Sequence, residues 1–143
     1  PVGDVRSQGR RATGVRAIQL DAGARVVGAF ATKPDQWVVL VMESGLAKRV
    51  AASEFRPQAR AGGGLQSVKL AGEDLVAAVG GARIEGDVLF LTSEGRVARM
   101  PTYDVPFGHR ASKGEPLLSL EPGETVTQVL GVPAGHFEEP DPA

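Results

Sequence analysis

The chain has 143 residues, of which 42% are hydrophobic, and this is the size and composition of one globular domain. It contains no cysteine, which excludes both a disulfide framework and a thiolate metal site. The net charge of −1 conceals an asymmetry: residues 1–60 carry ten Lys/Arg and five Asp/Glu, whereas residues 61–143 carry six and twelve. This asymmetry indicates a basic face and an acidic segment elsewhere, although an ordinary mixed surface would also account for it.

The sequence repeats itself every 50 residues without gaps. The recurring positions are Gly14, Gly64 and Gly114; Arg10, Arg60 and Arg110; Leu20, Leu70 and Leu120; and Val26, Val76 and Val126. A repeat of this length indicates a stacked or radial architecture built from one supersecondary unit. We divide residues 1–131 into units of about 8–57, 58–107 and 108–131, followed by a tail at 132–143.

Each unit is predicted to contain four short strands. In the first unit, Gly14–Leu20 alternates apolar and polar residues, and Arg25–Phe30 forms the next strand. Trp37–Met42 is a continuous apolar run typical of a strand buried on both faces, and Leu46–Val50 closes a hairpin through the turn at Gly45. The equivalent predicted strands are 64–70, 75–80, 87–92 and 96–100 in the second unit, and 114–120 and 125–130 in the third.

Four strands in each 50-residue unit predict an all-β, propeller-like fold with four-stranded blades. The pattern stops after Leu130, which leaves a partial ring of about two and a half blades, and we expect the acidic, proline-rich tail at 132–143 to be disordered. Because such a partial ring exposes sheet edges, the chain is either a fragment of a longer propeller or a protein that associates with copies of itself.

A basic loop precedes each glycine of the Gly14 type. We call residues 8–14, 58–64 and 108–114 basic loops 1, 2 and 3. Their small residues let a partner approach the backbone, and arginine offers a planar fork that suits phosphate oxygens. Repeated on successive blades, these loops would form a basic rim along which a nucleic-acid backbone could run.

The loops and their surroundings resemble the C-terminal domain of bacterial DNA gyrase A. The loops are similar to degenerate copies of that family's glutamine-arginine-glycine-lysine box. Further matching residues are Asp4-Val5-Arg6, Gly9-Arg10, Gly14-Val15-Arg16, Ile18, Leu20, Gly45, Lys48-Arg49, Glu54-Phe55, Arg60 and Lys69-Leu70. The resemblance runs from about residue 4 to residue 131, and the corresponding domain of topoisomerase IV, a near relative with similar blades, remains an alternative.

The resemblance implies a six-bladed β-pinwheel, in which neighbouring blades exchange strands and DNA bends around the rim in support of negative supercoiling. It also implies that the chain belongs to an ATP-dependent type II topoisomerase, without a catalytic site or cofactor of its own. The partners it implies are duplex DNA, the rest of gyrase A and gyrase B. No box is complete: the second has Arg60-Ala61 where the family has Arg-Gly, and Gly63 where it has lysine. The early stop resembles the end of gyrase A, as if these were the last two and a half blades.

We predict ten basic residues as DNA contacts, with ordinary solvated charges at strand ends as the alternative. The expected principal phosphate contacts are Arg10, Arg11, Arg60, Arg110 and Lys113. The expected supporting contacts are Arg6, Arg16, Lys48, Arg49 and Arg99.

Other sites and function classes are disfavoured by the sequence. Tyr103 has no activating base nearby, and His109 and His136 lack partners at metal-ligand spacing. No apolar run approaches the roughly 18 residues of a membrane span and no signal peptide is present, so we expect a cytoplasmic, nucleoid-associated protein. A protein-interaction module without DNA binding is the alternative function, and an enzyme acting on a small molecule ranks last.

Overall fold

The computed structural model of the chain describes residues 1–136, whose strands form two antiparallel sheets. The strands are β1 (Trp37–Met42), β2 (Leu46–Ala51), β3 (Val76–Ala82), β4 (Asp87–Thr92), β5 (Val97–Pro101), β6 (Glu115–Pro116) and β7 (Val126–Val132). The helical elements are three short 3₁₀ turns at Val2–Asp4, Ala52–Glu54 and Thr102–Asp104, again 50 residues apart. No helix among residues 1–136 has the length and apolar character needed to cross a membrane. The predicted all-β class is confirmed, and most of the expected tail, residues 137–143, lies outside the described residues.

The sheets are built by strand exchange between units. The first sheet has the order β3-β1-β2-β6 and the second the order β5-β4-β7. The hairpin strand β1 pairs with β3 of the second unit, and β4 pairs with β7 of the third unit in the same register 50 residues later. The outer hairpin strand β2 receives β6 from the third unit, two units along the chain. One hairpin therefore draws its neighbours from both following units.

Three predicted strands are absent from the structure, at 14–20, 25–30 and 64–70, and the strand predicted at 114–120 shortens to the two residues of β6. The prediction was wrong there because a strand needs a ladder partner. The equivalents of 25–30 pair with the hairpin of the preceding unit, and the described residues before Arg25 contain no hairpin.

Strand β1 lies between two apolar clusters, as its continuous apolar run predicts. Val39 and Val41 face the second sheet, where they join Val88 and Phe90 in the main core. The alternate residues of β1, Val38 and Leu40, pack with Val50 and Phe55 on the other side. This second cluster borders an open cavity of about 400 Å³, which Val27 and Phe30 of the unpaired segment also line.

An acidic residue fastens each of the exchanged strands β3 and β7 to the hairpin that receives it. Asp74 precedes β3 and accepts a hydrogen bond of 3.1 Å from the backbone N–H of Ser44 in the first hairpin turn. Glu124, 50 residues later, accepts one of 2.6 Å from the Thr92 hydroxyl and forms an ion pair with Arg96. Neither acid was predicted from the sequence to have a role, although Asp74 and Glu124 are 50 residues apart, as the repeat requires.

Candidate nucleic-acid interface

The three basic loops share a tight turn that carries an arginine at the same position. The turn residues are Arg10-Arg11, Arg60-Ala61 and Arg110-Ala111. In loop 1 the N–H of Ala12 bonds to the carbonyl of Gly9 at 3.0 Å, and in loop 3 the N–H of Ser112 bonds to the carbonyl of His109 at 3.1 Å. Loop 2 turns at the same position with a different backbone conformation, since Ala61 has a φ of 62° and its N–H bonds to the carbonyl of Ala17. The 50-residue repeat of the sequence thus places a turn with an arginine at the same position of each loop.

Successive loops lie side by side because each rests on the segment that follows the loop before it. The Arg60 guanidinium of loop 2 donates to the Arg16 carbonyl at 3.5 Å, and the Arg110 guanidinium of loop 3 donates to the Gln66 carbonyl at 3.0 Å. Arg16 and Gln66 occupy equivalent positions directly after loops 1 and 2. The contacts therefore link loop 2 to the segment after loop 1, and loop 3 to the segment after loop 2.

Most of the predicted contacts are exposed. The residues exposed to solvent are Arg6, Arg10, Arg11, Arg16, Arg60, Arg99 and Lys113, and Arg110 is half-buried. Basic loop 1 also borders an open depression with Arg6 and Arg11 on its wall. These side chains can reach a ligand at the surface without any rearrangement of the core.

Lys48 is not at this surface, and its predicted role as a phosphate contact must be corrected. Its side chain is buried, with 1% of the residue exposed. The ammonium donates to the carbonyls of His109, Ser112 and Arg110 at 2.7, 2.8 and 3.2 Å. Burial lowers the pKa of Lys48, and the negative charge of Glu54 opposes that shift. An ammonium has three protons to donate, and all three are used within basic loop 3.

Glu54 binds the same loop from its donor side. One carboxylate oxygen accepts the backbone N–H of Arg110 at 2.9 Å, and the other lies 2.7 Å from Nδ1 of His109. The hydrogen bond from the His109 ring is the main cause that lowers the pKa of Glu54. Glu54 is one of the residues that carry the family resemblance, but the sequence alone predicted no role for it.

The equivalent residues Arg49 and Arg99 are held by different partners. The Arg49 guanidinium lies 4.2 Å from the ring centroid of Trp37, and its Nε donates to the carbonyl of Val105 at 2.9 Å. In the second unit Asp87 replaces Trp37, and Arg99 forms an ion pair with it at 2.7 Å. Both arginines therefore have partners within their own hairpins, and their predicted supporting contacts with DNA stay a prediction.

Tyr103 and His109 are two further polar residues that the sequence singles out. Tyr103 is 63% exposed and lies in the third 3₁₀ turn. His109 is engaged with Glu54 and with the ring of Phe107, which it meets edge-on at 5.1 Å. Among residues 1–136, no three histidines or acidic residues are grouped in a way that could hold a metal ion.

The sequence is similar to curated DNA gyrase A proteins. It is 31% identical over 137 residues to the protein from Kosmotoga olearia and 33% identical over 135 residues to that from Thermotoga maritima, covering 92% of this chain in each case. Over 106 residues, or 72% of the chain, it is 35% identical to the protein from Mycobacterium tuberculosis. The chain spans only 17%, 17% and 12% of these relatives, respectively.

The fold is similar to two solved C-terminal domains. The structure of a DNA gyrase A C-terminal domain aligns with a TM-score of 0.79 at 22% identity, over 88% of this chain and 43% of that one. The C-terminal domain of a DNA topoisomerase IV aligns with a TM-score of 0.78 at 23% identity, over 89% and 40%. The sequence profile described as "DNA gyrase C-terminal domain, beta-propeller" matches residues 1–33, 36–80 and 86–133. With strand-exchanged blades and a sequence match along nearly the whole described chain, this protein belongs to the DNA gyrase C-terminal domain family.

Proposed function

We propose that the chain binds duplex DNA without sequence specificity and bends it along the edge formed by basic loops 1–3. The observation that carries this proposal is the recurrence of Arg10, Arg60 and Arg110 on three turns, the second and third of which each contact the segment that follows the loop before it. Membership of the family supports it, because the relatives are components of an enzyme that acts on DNA. The same membership supports a place in a type IIA topoisomerase, with the rest of gyrase A and gyrase B as partners and negative supercoiling as the outcome.

The proposed mechanism is electrostatic and geometric. Arginine and lysine neutralise phosphates and release condensed counterions, which drives binding and makes it sensitive to salt. Phosphates carry no base information, so the duplex is held without a sequence preference. The bend costs on the order of a few kcal/mol for 20–30 base pairs, and successive loop contacts along a curved edge offset this cost.

The proposal is tested by reversing the charge of basic loop 1. Arg10→Glu combined with Arg11→Glu removes two exposed cations and adds two anions at the proposed edge. We expect affinity for a labelled duplex, measured by fluorescence anisotropy at low salt, to fall by about tenfold or more. The slope of log Kd against log salt should also become shallower, since each lost phosphate contact removes about one unit.

The matched control is Arg25→Glu with Lys33→Glu. These residues are also exposed and the change in charge is identical, but neither lies in a basic loop. We expect a smaller loss of affinity from this pair. If both double variants lose affinity equally, general attraction and not the loops holds the DNA. A wild-type Kd that stays constant between low and moderate salt would remove the proposal altogether.

An exposed apolar segment gives the protein-interaction alternative its best support. Val26 is 61% exposed, and Val27 and Phe30 beside it are also exposed. The equivalent of Val26 in the third unit, Val126, is only 1% exposed because its strand pairs with the hairpin of the unit before it. The repeat geometry therefore explains this exposure without a separate protein partner.

A further inference from the structure

Lys48 is a buried cation that the proposed DNA-binding mechanism does not use directly. Burying an ammonium is costly unless hydrogen bonds replace its water. Here the replacement comes from three carbonyls and the Ser112 hydroxyl of basic loop 3, which lie 61 to 64 residues further along the chain. A buried ammonium whose hydrogen-bond acceptors all lie on one surface turn indicates that the turn and the charge stabilise each other.

Glu54 binds the hydrogen-bond donors of the same turn. Lys48 donates hydrogen bonds to carbonyl groups, whereas Glu54 accepts hydrogen bonds from the N–H of Arg110 and from the His109 ring. Gly108 at the start of the loop packs so closely that an added Cβ would lie 2.6 Å from the Ser112 hydroxyl and 3.2 Å from Cδ of Lys48. Lys48 and Glu54, which both belong to the first unit, thus bind the acceptors and the donors of this turn, respectively.

The pair does not recur in the second unit. Position 98, which corresponds to Lys48, is alanine, and position 104, which corresponds to Glu54, is the exposed Asp104. Within residues 1–136, basic loops 1 and 2 accept no hydrogen bond from a lysine side chain. Basic loop 3 is therefore the one described loop that a buried cation and a carboxylate hold together.

We propose that Lys48 and Glu54 are positioning residues that fix basic loop 3 in the shape that presents Arg110 and Lys113 to phosphate. The inference rests on the proposed DNA binding. Neither side chain contacts DNA: Lys48 is enclosed, and Glu54 carries the wrong charge. Their effect on affinity comes from keeping the loop ordered before DNA arrives, because a loop that must be ordered on binding loses affinity.

The sign of the effect at Glu54 separates positioning from simple electrostatics. Glu54→Ala removes a negative charge near the proposed edge, and electrostatics alone predicts tighter DNA binding. Positioning predicts the reverse, since the turn loses two hydrogen bonds: we expect the Kd at low salt to rise about fivefold. The matched control is Asp104→Ala, which removes the same charge at the equivalent position without a loop contact, and its Kd should stay unchanged or fall.

A second variant and a second measurement address the loop directly. Lys48→Met keeps most of the buried volume but none of the donors, and Lys48→Arg restores donors and charge. Hydrogen exchange of the Ser112 amide, which closes the turn, should quicken in Glu54→Ala and Lys48→Met and recover partly in Lys48→Arg. If Lys48→Met does not fold, Glu54→Ala carries the test, because the Glu54 side chain is 30% exposed.

Double variants show whether the pair acts through the loop. Combining Glu54→Ala with Arg110→Gln should weaken binding less than the sum of the two single effects, because the contact is already impaired. Additive effects, or tighter binding by Glu54→Ala, would overturn the positioning role. Arg110→Gln and the loop 1 variants could leave affinity unchanged while amide exchange at Ser112 still quickens in Glu54→Ala and Lys48→Met. In that case DNA binding through the basic loops is refuted, whereas the ordering of basic loop 3 by Lys48 and Glu54 is supported.

Discussion

Glu124 connects the third unit to the second through its carboxylate. It accepts hydrogen bonds from the Arg96 guanidinium, the Thr92 hydroxyl and the backbone N–H of Glu121. These bonds, with that from Arg96 contributing most, lower the pKa of Glu124 to about 2. A carboxyl whose pKa falls on folding stabilises the folded state above its pKa in the unfolded chain, and this contribution disappears as the pH falls towards 2.

We therefore expect Glu124→Gln to lower the melting temperature by several degrees at pH 7. The difference from the parent chain should shrink below about pH 4, because the parent then loses the same charge. Thermal unfolding followed by circular dichroism at pH 7 and pH 3 measures this difference. Glu94→Gln changes an exposed acid on the same hairpin and should have little effect at either pH. A constant difference between the two pH values would contradict the assignment.

The sequence predicted the neighbours Lys48 and Arg49 alike, and the structure separates them. The sequence held a weak indication of this difference. Arg49 recurs as Arg99, whereas Lys48 recurs as Ala98, and an alanine at the equivalent position suggests that position 48 is buried. The partners of Lys48 could not be foreseen, since they lie in a loop two units away and strand exchange alone brings them together. The exposure of the arginines in the basic loops, in contrast, could be predicted without knowing which strands pair.

At the scale of the elements, glycine allows the inner strands β3 and β7 to pack closely. A Cβ on Gly131 of β7 would lie 2.1 Å from the carbonyl oxygen of Gly81 in β3. A Cβ on Gly80 would lie 2.5 Å from the carbonyl oxygen of Val129. These are backbone contacts that no side-chain rotation can relieve, so the spacing of the two sheets depends on small residues here.

Gly131→Ala should destabilise the fold by about 2–4 kcal/mol, because the two strands must move apart and lose packing around them. Urea unfolding gives this value. Gly63→Ala is the control, since a Cβ there would meet nothing within 4 Å, and we expect a change within about 0.5 kcal/mol. Equal stability of both variants would mean that the sheets can separate without cost.

The hairpins were predictable from the sequence and the sheets were not. The apolar run Trp37–Met42, the glycine turn and the following strand are local signals, and they recur with the repeat. Periodicity shows which residues are equivalent, but it does not show which of them pair. The three predicted strands that are absent from the structure, at 14–20, 25–30 and 64–70, illustrate this limit, because a suitable sequence without a ladder partner stays irregular.

At the scale of the whole molecule, β5 and its equivalent β2 differ in how their outer edges are covered. The equivalent strand β2 is covered by β6, whereas the described residues supply no neighbour for β5, and Val97 on it is 61% exposed. An unpaired edge is a template for another chain. We infer that a second copy can cover it with residues 65–66, which correspond to β6 in the repeat.

Light scattering should accordingly give a mass above the 14.9 kDa of one chain as the concentration rises. Val97→Lys should reduce this association, because a charged edge residue opposes strand pairing. Tyr103→Lys changes a residue of similar exposure, 63%, that lies outside β5, and should not reduce it. A mass of one chain at every concentration would rule out the association.

Strand exchange also determines when the first sheet can be completed during translation. The hairpin at 37–51 is made before the strands that cover it, since its sheet receives β3 only after residue 82 and β6 only after residue 116. During translation the edge of β1 stays uncovered for roughly 30 further residues and that of β2 for roughly 65, which takes several seconds at ordinary elongation rates. Pairings this distant in sequence also fold slowly. A ribosome stalled near residue 110 would thus hold a chain whose first blade is unfinished, and nascent chains of this kind should be recognised by chaperones until β6 emerges.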